Sequence, residues 1–121
     1  MIHALNRRKF DSIGGKGEEK MFRQIEENAG LVSVTLSGRL QKEDANLLRQ
    51  ELLEYMEKGC STYRIDMSNL EYIDSSGLGV LLALHKMTVR DGGKLVLAGM
   101  RGTVDELFEV TRLKKIFQIE L

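Results

Sequence analysis

A short run of acidic and hydroxyl side chains separates an apolar stretch from a long apolar helical pattern. The run is Asp74-Ser75-Ser76, and Gly77 and Gly79 follow it within residues 72–80. An apolar stretch that ends in small polar residues and glycines is typical of a strand-to-helix junction. The sequence therefore predicts that both serine hydroxyls are displayed at the tip of such a junction.

The predicted junction suits an anion. Either Asp74 or Ser75 can cap the new helix by accepting hydrogen bonds from its free N–H groups, and the helix dipole favours negative charge at the same place. A phosphate on a serine would fit there, and Gly77 and Gly79 would let a partner's backbone approach closely. The same residues are equally compatible with an ordinary helix cap whose glycines are tolerated for packing. Spacing alone does not decide between a functional site and such a cap.

The serines lack the surroundings of a catalytic nucleophile. The Gly-x-Ser-x-Gly motif of hydrolases fails here, because Ile73 and Asp74 stand where its first glycine should be. His85 would lie ~15 Å from Ser75 along the same helix, which is too far for proton transfer. His85 is instead predicted to pack within an apolar stripe. With two histidines and one cysteine far apart, no metal-ligand spacing is present. We predict a non-enzymatic protein without metal or cofactor.

Composition indicates one small domain. The chain has 121 residues, 42% of them hydrophobic, and its 18 basic and 18 acidic residues cancel. A neutral chain without a basic surplus gives no support to nucleic-acid or acidic-membrane binding. No stretch approaches the ~20 apolar residues of a membrane span. The single cysteine, Cys60, is compatible with the reducing cytoplasm and is predicted to be a small filler residue at a helix end.

Residues 1–20 differ from the rest of the chain. They mix basic residues with Gly14, Gly15 and Gly17, and they show neither the period of a strand nor that of a helix. We interpret them as a flexible N-terminal extension or leader, and residues 21–121 as the domain.

From residue 21 onward, strand and helix patterns alternate. A hairpin is expected around Asn28-Ala29-Gly30, a helix over about residues 43–58, a strand over residues 62–67, a doubly covered central strand over residues 95–97, and a last strand at residues 116–119. Thr103 is expected to open a short helix through a capping box with Glu106. The predicted fold is α/β, with a mixed sheet of about five strands and helices packed against it.

The helix after the serines is apolar on two sides. Leu78, Leu81, Leu82 and Val89 form one stripe, and Val80, Ala83, Leu84 and Met87 form another. Such a helix is either buried between layers or uses its second side for a partner. We favour burial between the sheet and a neighbouring helix, while the other possibility would extend the partner surface along the helix from Ser75.

The segment 65–79 resembles the signature of the STAS domain, the fold of bacterial anti-sigma factor antagonists. The residues that match the signature are Ile65-Asp66-Met67-Ser68-Asn69-Leu70 and Ile73-Asp74-Ser75-Ser76-Gly77-Leu78-Gly79. The resemblance extends over residues 21–121 through Gly38-Arg39-Leu40, Asp91-Gly92-Gly93 and the closing Leu113-Lys114-Lys115-Ile116-Phe117. It implies a STAS-type fold.

The resemblance also implies a function. In that family the serine directly after the Asp is phosphorylated by a kinase that is also an anti-sigma factor, and by position this acceptor is Ser75. The unmodified protein would sequester the anti-sigma factor serine kinase, and a serine phosphatase would reverse the modification. The implied partner-binding residues are Asp74, Ser75, Ser76, Gly77, Leu78, Gly79 and Gln41.

The chain departs from the family at Gln41, where an Asp is usual. The alternative implied by the resemblance is a structural STAS subunit of a larger assembly, either a stress-signalling scaffold or a transporter-associated subunit.

Overall fold

A six-stranded mixed sheet organises the chain in a computed structural model, which describes residues 7–13 and 21–120. The strands are β1 (Arg7–Ile13), β2 (Met21–Asn28), β3 (Leu31–Leu40), β4 (Thr62–Ile73), β5 (Lys94–Ala98) and β6 (Gln118–Glu120). They lie side by side in sequence order. Strands β1, β2 and β3 pair antiparallel, whereas β3, β4, β5 and β6 pair in parallel.

Helices make the crossovers between the parallel strands. Helix α1 (Lys42–Glu57) joins β3 to β4, and α2 (Ser75–Arg90) joins β4 to β5. Helix α3 (Gly102–Val110) and a 3₁₀ turn at Leu113–Lys115 join β5 to β6. Because each parallel connection starts at the carboxyl end of a strand, the starts of all three helices meet at one edge of the sheet. No helix among the described residues is long and apolar enough to cross a membrane.

One face of the sheet carries the core. The register aligns Val34, Ile65 and Leu97 across three strands, and all three side chains are buried. The alternate row, with Ser33 and Arg64, is more polar and only half-buried. Since side chains alternate along a strand, this pattern describes a sheet with one covered face and one more open face.

A buried ion pair ties α1 to β2. Arg23 is 4% exposed on the covered side of the sheet, and its guanidinium meets both carboxylate oxygens of Glu51 on α1. Opposite charges in this bidentate arrangement satisfy each other away from water. The pair helps set where α1 lies on the sheet.

The order of strands and helices predicted from residue 21 onward is confirmed, including the hairpin. The last strand lies later than predicted, because Ile116 and Phe117 precede β6 and only Ile119 of the three named residues lies in it. The expected flexible extension differs from the structure at residues 7–13, which form β1 and give the sheet its sixth strand. Its register sets Arg7 opposite Glu27 and Arg8 opposite Glu26. Pairing of this kind joins two separate segments and is not visible in the periodicity of one of them. The rest of residues 1–20 lies outside the described residues, and the domain boundary at Met21 stays a prediction.

Two further local predictions were wrong. Helix α3 begins two residues earlier than expected, because its N-cap is Arg101, which makes no side-chain capping hydrogen bond; Thr103 instead donates its hydroxyl to the Glu71 carbonyl oxygen at 3.3 Å. Strand β5 is not central but next to the edge strand β6. Its apolar run is explained by its neighbours on both sides and by the core beneath it, in which Leu95 and Leu97 are buried.

Candidate functional site

The predicted junction is present, and Asp74 is the residue that caps it. Asp74 has extended backbone angles, and its Oδ1 accepts a hydrogen bond from the Gly77 N–H at 2.9 Å. Ser75 and Ser76 are the first two residues of α2, and both are exposed. Because the cap is made by Asp74, neither serine hydroxyl is needed to hold the helix.

The end of β3 fixes this junction in place. The Asp74 N–H donates to the Leu40 carbonyl oxygen at 3.2 Å. A Cβ atom at Gly77 would stand 2.9 Å from that carbonyl oxygen and 2.7 Å from Cγ1 of Ile73. Only a residue without a side chain fits such a close approach. Gly77 is therefore explained by packing against β3, while Gly79 has open space around it.

The hydrogen bond between Asp74 and Leu40 places Gln41, the residue after Leu40, beside the start of α2. Gln41 is the N-cap of α1, with extended backbone angles, but its side chain makes no capping hydrogen bond. Lys42 follows with φ of 42°, a left-handed conformation that costs energy for a residue with a side chain. The starts of α1 and α2 thus lie next to each other, and their dipoles add at this edge.

A shallow groove of 520 Å³ runs between the first turns of α1 and α2. We call it the α1–α2 groove, and it is lined by Lys42, Glu43, Asn46, Arg49, Ser76, Gly79, Val80 and Ala83. Ser76 and Gly79 were among the site residues predicted from the sequence, whereas the α1 residues were not. The spacing of Lys42, Asn46 and Arg49, three and four residues apart, places them on one helix face and is the signal that could have found them.

Asp44, in the first turn of α1, carries a carboxyl group but is only 2% exposed. Its Oδ1 has no hydrogen-bond partner. Burial, and secondarily the negative charge of Glu43, raises the pKa of Asp44 to about 6. Ionisation of this carboxyl is harder than in water because it places an uncompensated charge in the protein interior.

Asp66 and Ser68 of the signature have a structural role in β4. Asp66 Oδ1 accepts hydrogen bonds from the Ser68 N–H at 3.0 Å and from its hydroxyl at 2.7 Å. Burial opposes ionisation of Asp66, but these two hydrogen bonds hold its pKa below the usual value. Gly99 approaches the same carboxylate so closely that an added Cβ would lie 3.1 Å from Oδ1. Asp66 and Ser68 therefore stabilise the local backbone of β4, and the exposed hydroxyl groups of the signature are those of Ser75 and Ser76.

Helix α2 is buried along one central face rather than along the two predicted stripes. Its buried residues are Gly77, Val80, Leu81, Leu84 and Thr88. It packs against α1 and against β5 and β4. The favoured interpretation, burial between the sheet and a neighbouring helix, is confirmed for this face. Leu78 is half-buried, so part of its side chain remains available beside the junction.

His85 packs as expected. Its ring lies 5.2 Å from the ring of Phe117, measured between centroids, and its Nδ1 is buried without a hydrogen-bond partner. An imidazole that contacts an aromatic ring in this way contributes to packing.

A larger cavity of 670 Å³ lies at the start of α3, where Arg101 donates a hydrogen bond from Nε to the Ser68 carbonyl oxygen at 2.8 Å. None of the predicted site residues lines it. Cavity size therefore does not mark the candidate site, which is an exposed edge rather than a pocket.

Comparison with known proteins gives a consistent result. Residues 22–121 match the family model described as STAS domain. The chain is 33% identical over 95 residues to the anti-sigma-B factor antagonist of Bacillus subtilis, covering 78% of this chain and 86% of that protein.

Two solved structures share the fold. An anti-sigma factor antagonist from Mycobacterium paratuberculosis is similar with a TM-score of 0.71 and 22% identity, covering 87% of this chain and 89% of that one. The Bacillus cell fate determinant SpoIIAA in its phosphorylated form is similar with a TM-score of 0.62 and 18% identity, covering 93% and 92%. At these identities the structures establish the likeness of fold.

Proposed function

The chain belongs to the STAS domain family, and we propose that it is an anti-sigma factor antagonist whose binding is controlled by phosphorylation of Ser75. The unmodified protein binds an anti-sigma factor that is also a serine kinase and thereby frees a sigma factor. Phosphorylation of Ser75 ends that binding, and a serine phosphatase restores it. The protein itself performs no catalysis, and it works in the cytoplasm.

The observation that carries this proposal is the exposed Ser75 hydroxyl directly after the capping Asp74. A phosphoserine adds about −1.5 to −2 charges at that point. In the free protein the N-terminus of α2 favours this charge, but Asp74 is a close negative neighbour. A partner that had packed against a neutral hydroxyl would meet a dianion and its hydration shell. The phosphate therefore disfavours the complex more than it disfavours the free protein.

The site has the form of a docking edge. Asp74, Ser76 and Gly79 stand around Ser75 at the start of α2, and Leu78 adds partly exposed apolar surface, whereas the predicted contact residue Gly77 is buried against β3. The hydrogen bond between Asp74 and Leu40 brings the neighbouring Gln41 to the same edge. We assign partner contact to these residues because they surround the proposed acceptor and do not form an enclosed pocket.

Capture of the native partner tests the proposal. The immobilised unmodified protein should retain a serine kinase from the source cell, and its Ser75→Asp variant should not. With that kinase and ATP, peptide mapping should find the phosphate on Ser75. Phosphate only on Ser76 would reject the site assignment.

Failure to retain any kinase, together with self-assembly at rising protein concentration, would reject the antagonist function in favour of a structural subunit. Serine-directed hydrolysis of ester substrates that Ser75→Ala abolishes, with the fold intact, would contradict the absence of catalysis.

A further inference from the structure

We propose that the α1–α2 groove is a second contact area of the partner and that it receives an acidic segment of the anti-sigma factor kinase. This inference rests on the proposed function, because it names the partner of the same edge. It adds to that function a surface on α1 that neither the family signature nor the phosphoacceptor includes.

The charges of the groove favour an acidic occupant. Lys42 and Arg49 contribute two positive charges and Glu43 one negative charge. Within the described residues, neither Lys42 nor Arg49 forms an ion pair, whereas Arg23 and Arg64 each bind a carboxylate. Both cations are exposed on one face of α1, and their positive charge would attract an acidic partner segment and steer the encounter.

The shape of the groove favours close approach. Gly79 lies on its α2 side, and a Cβ atom added there would meet nothing within 4 Å. The packing of this chain therefore does not explain a glycine inside a helix, where alanine would be more stable. Close passage of a partner's backbone would explain it. The groove also contains Ser76, so it is continuous with the edge that displays Ser75.

Binding of the captured kinase to matched variants tests the groove. Arg49→Glu should weaken affinity by about tenfold or more, because it replaces attraction by repulsion. The control is Lys94→Glu, which makes the same change of charge at the opposite end of the parallel strands and should alter affinity by less than about twofold. The affinity of the wild type should fall with added salt more steeply than that of Arg49→Gln.

A second variant probes shape without charge. Gly79→Ala should raise the melting temperature, since helix propensity improves and no clash arises, yet it should weaken kinase binding by about fivefold or more. A merely structural role of Gly79 would not produce opposite changes in stability and affinity.

The acidic character of the occupant has its own test. A photoreactive benzoylphenylalanine in place of Asn46 should cross-link to a kinase peptide rich in Asp and Glu. Cross-linking to a basic or apolar peptide would overturn the acidic assignment.

The two proposals fail in different ways. If wild type binds the kinase, Ser75→Asp does not, and Arg49→Glu, which lies outside the edge around Ser75, binds like wild type, the groove is rejected and the proposed function stands. If wild type binds no kinase, the proposed function fails and the groove proposal fails with it.

Discussion

The Asp74 N–H donates to the Leu40 carbonyl oxygen at 3.2 Å, which joins the end of β3 to the start of α2. This contact continues the parallel pairing of β3 with β4, which ends at Leu40 and Ile73, and it joins segments more than thirty residues apart in the sequence. It sets Gln41 and the first turn of α1 beside the exposed serines. The geometry of the candidate site depends on this contact and on the glycine that permits it.

Substitution of the two junction glycines should have opposite effects on stability. Gly77→Ala would press a Cβ against Leu40 and Ile73 and should cost about 1–3 kcal/mol of the free energy of unfolding. Gly79→Ala, in open space on the same helix, should gain up to about 1 kcal/mol. Urea unfolding of both variants measures the difference. Equal changes would show that Gly77 does not support the contact with β3.

Charge at Ser75 should control binding. Ser75→Asp should weaken kinase binding by about tenfold or more, equivalent to about 1.4 kcal/mol. Ser75→Ala should bind nearly as tightly as wild type and should resist phosphorylation. Titration calorimetry with the purified kinase compares the three proteins. Equal affinity of all three would place Ser75 outside the interface.

Gln41→Asp should separate the unmodified protein from the phosphoprotein. An Asp at the N-cap of α1 can accept the capping hydrogen bond that Gln41 does not make, so the unmodified variant should gain about 0.5–1 kcal/mol. Phosphorylation should reverse this gain, because the new carboxylate would repel the phosphate beside it. Melting curves before and after phosphorylation measure both effects. Identical melting shifts on phosphorylation in the variant and in wild type would show that residue 41 does not sense the phosphate.

Asp44 should make stability depend on pH in an unusual direction. Burial, with a smaller effect from Glu43, raises its pKa from 3.8 to about 6 in the folded protein. The folded state therefore binds the proton more tightly than the unfolded chain. The stability that the protonated group contributes is present below about pH 4 and is lost as the pH rises through about 6, with a limit of about 3 kcal/mol.

Asp44→Asn should remove this loss. The variant should be more stable than wild type at pH 7, and its advantage should shrink as the pH falls toward about 4. Urea unfolding of the two proteins across this range gives the difference directly. A difference that does not change with pH would mean that Asp44 titrates normally.

The order of strands and helices was predictable because each depends on local patterns. Alternation of Val32, Val34 and Leu36 describes a strand with one covered face, and the helical spacing of Leu48 and Leu52 describes a helix that packs against it. The strand-to-helix junction and its exposed serines were predictable for the same reason. A run of small polar residues and glycines between two apolar patterns is typical of a turn or junction between two elements.

Only the tertiary structure decided which residues stand around the serines. The choice of Asp74 as the cap, the close approach of Gly77 to Leu40, and the groove that sets Arg49 beside Ser76 all join segments distant in sequence. The burial of Asp44 also depends on packing between elements, since its position in the helical period did not reveal it. Local patterns determine which elements form, because they act through neighbours in the chain. Contacts between elements depend on how those elements pack, and that packing is a property of the whole fold.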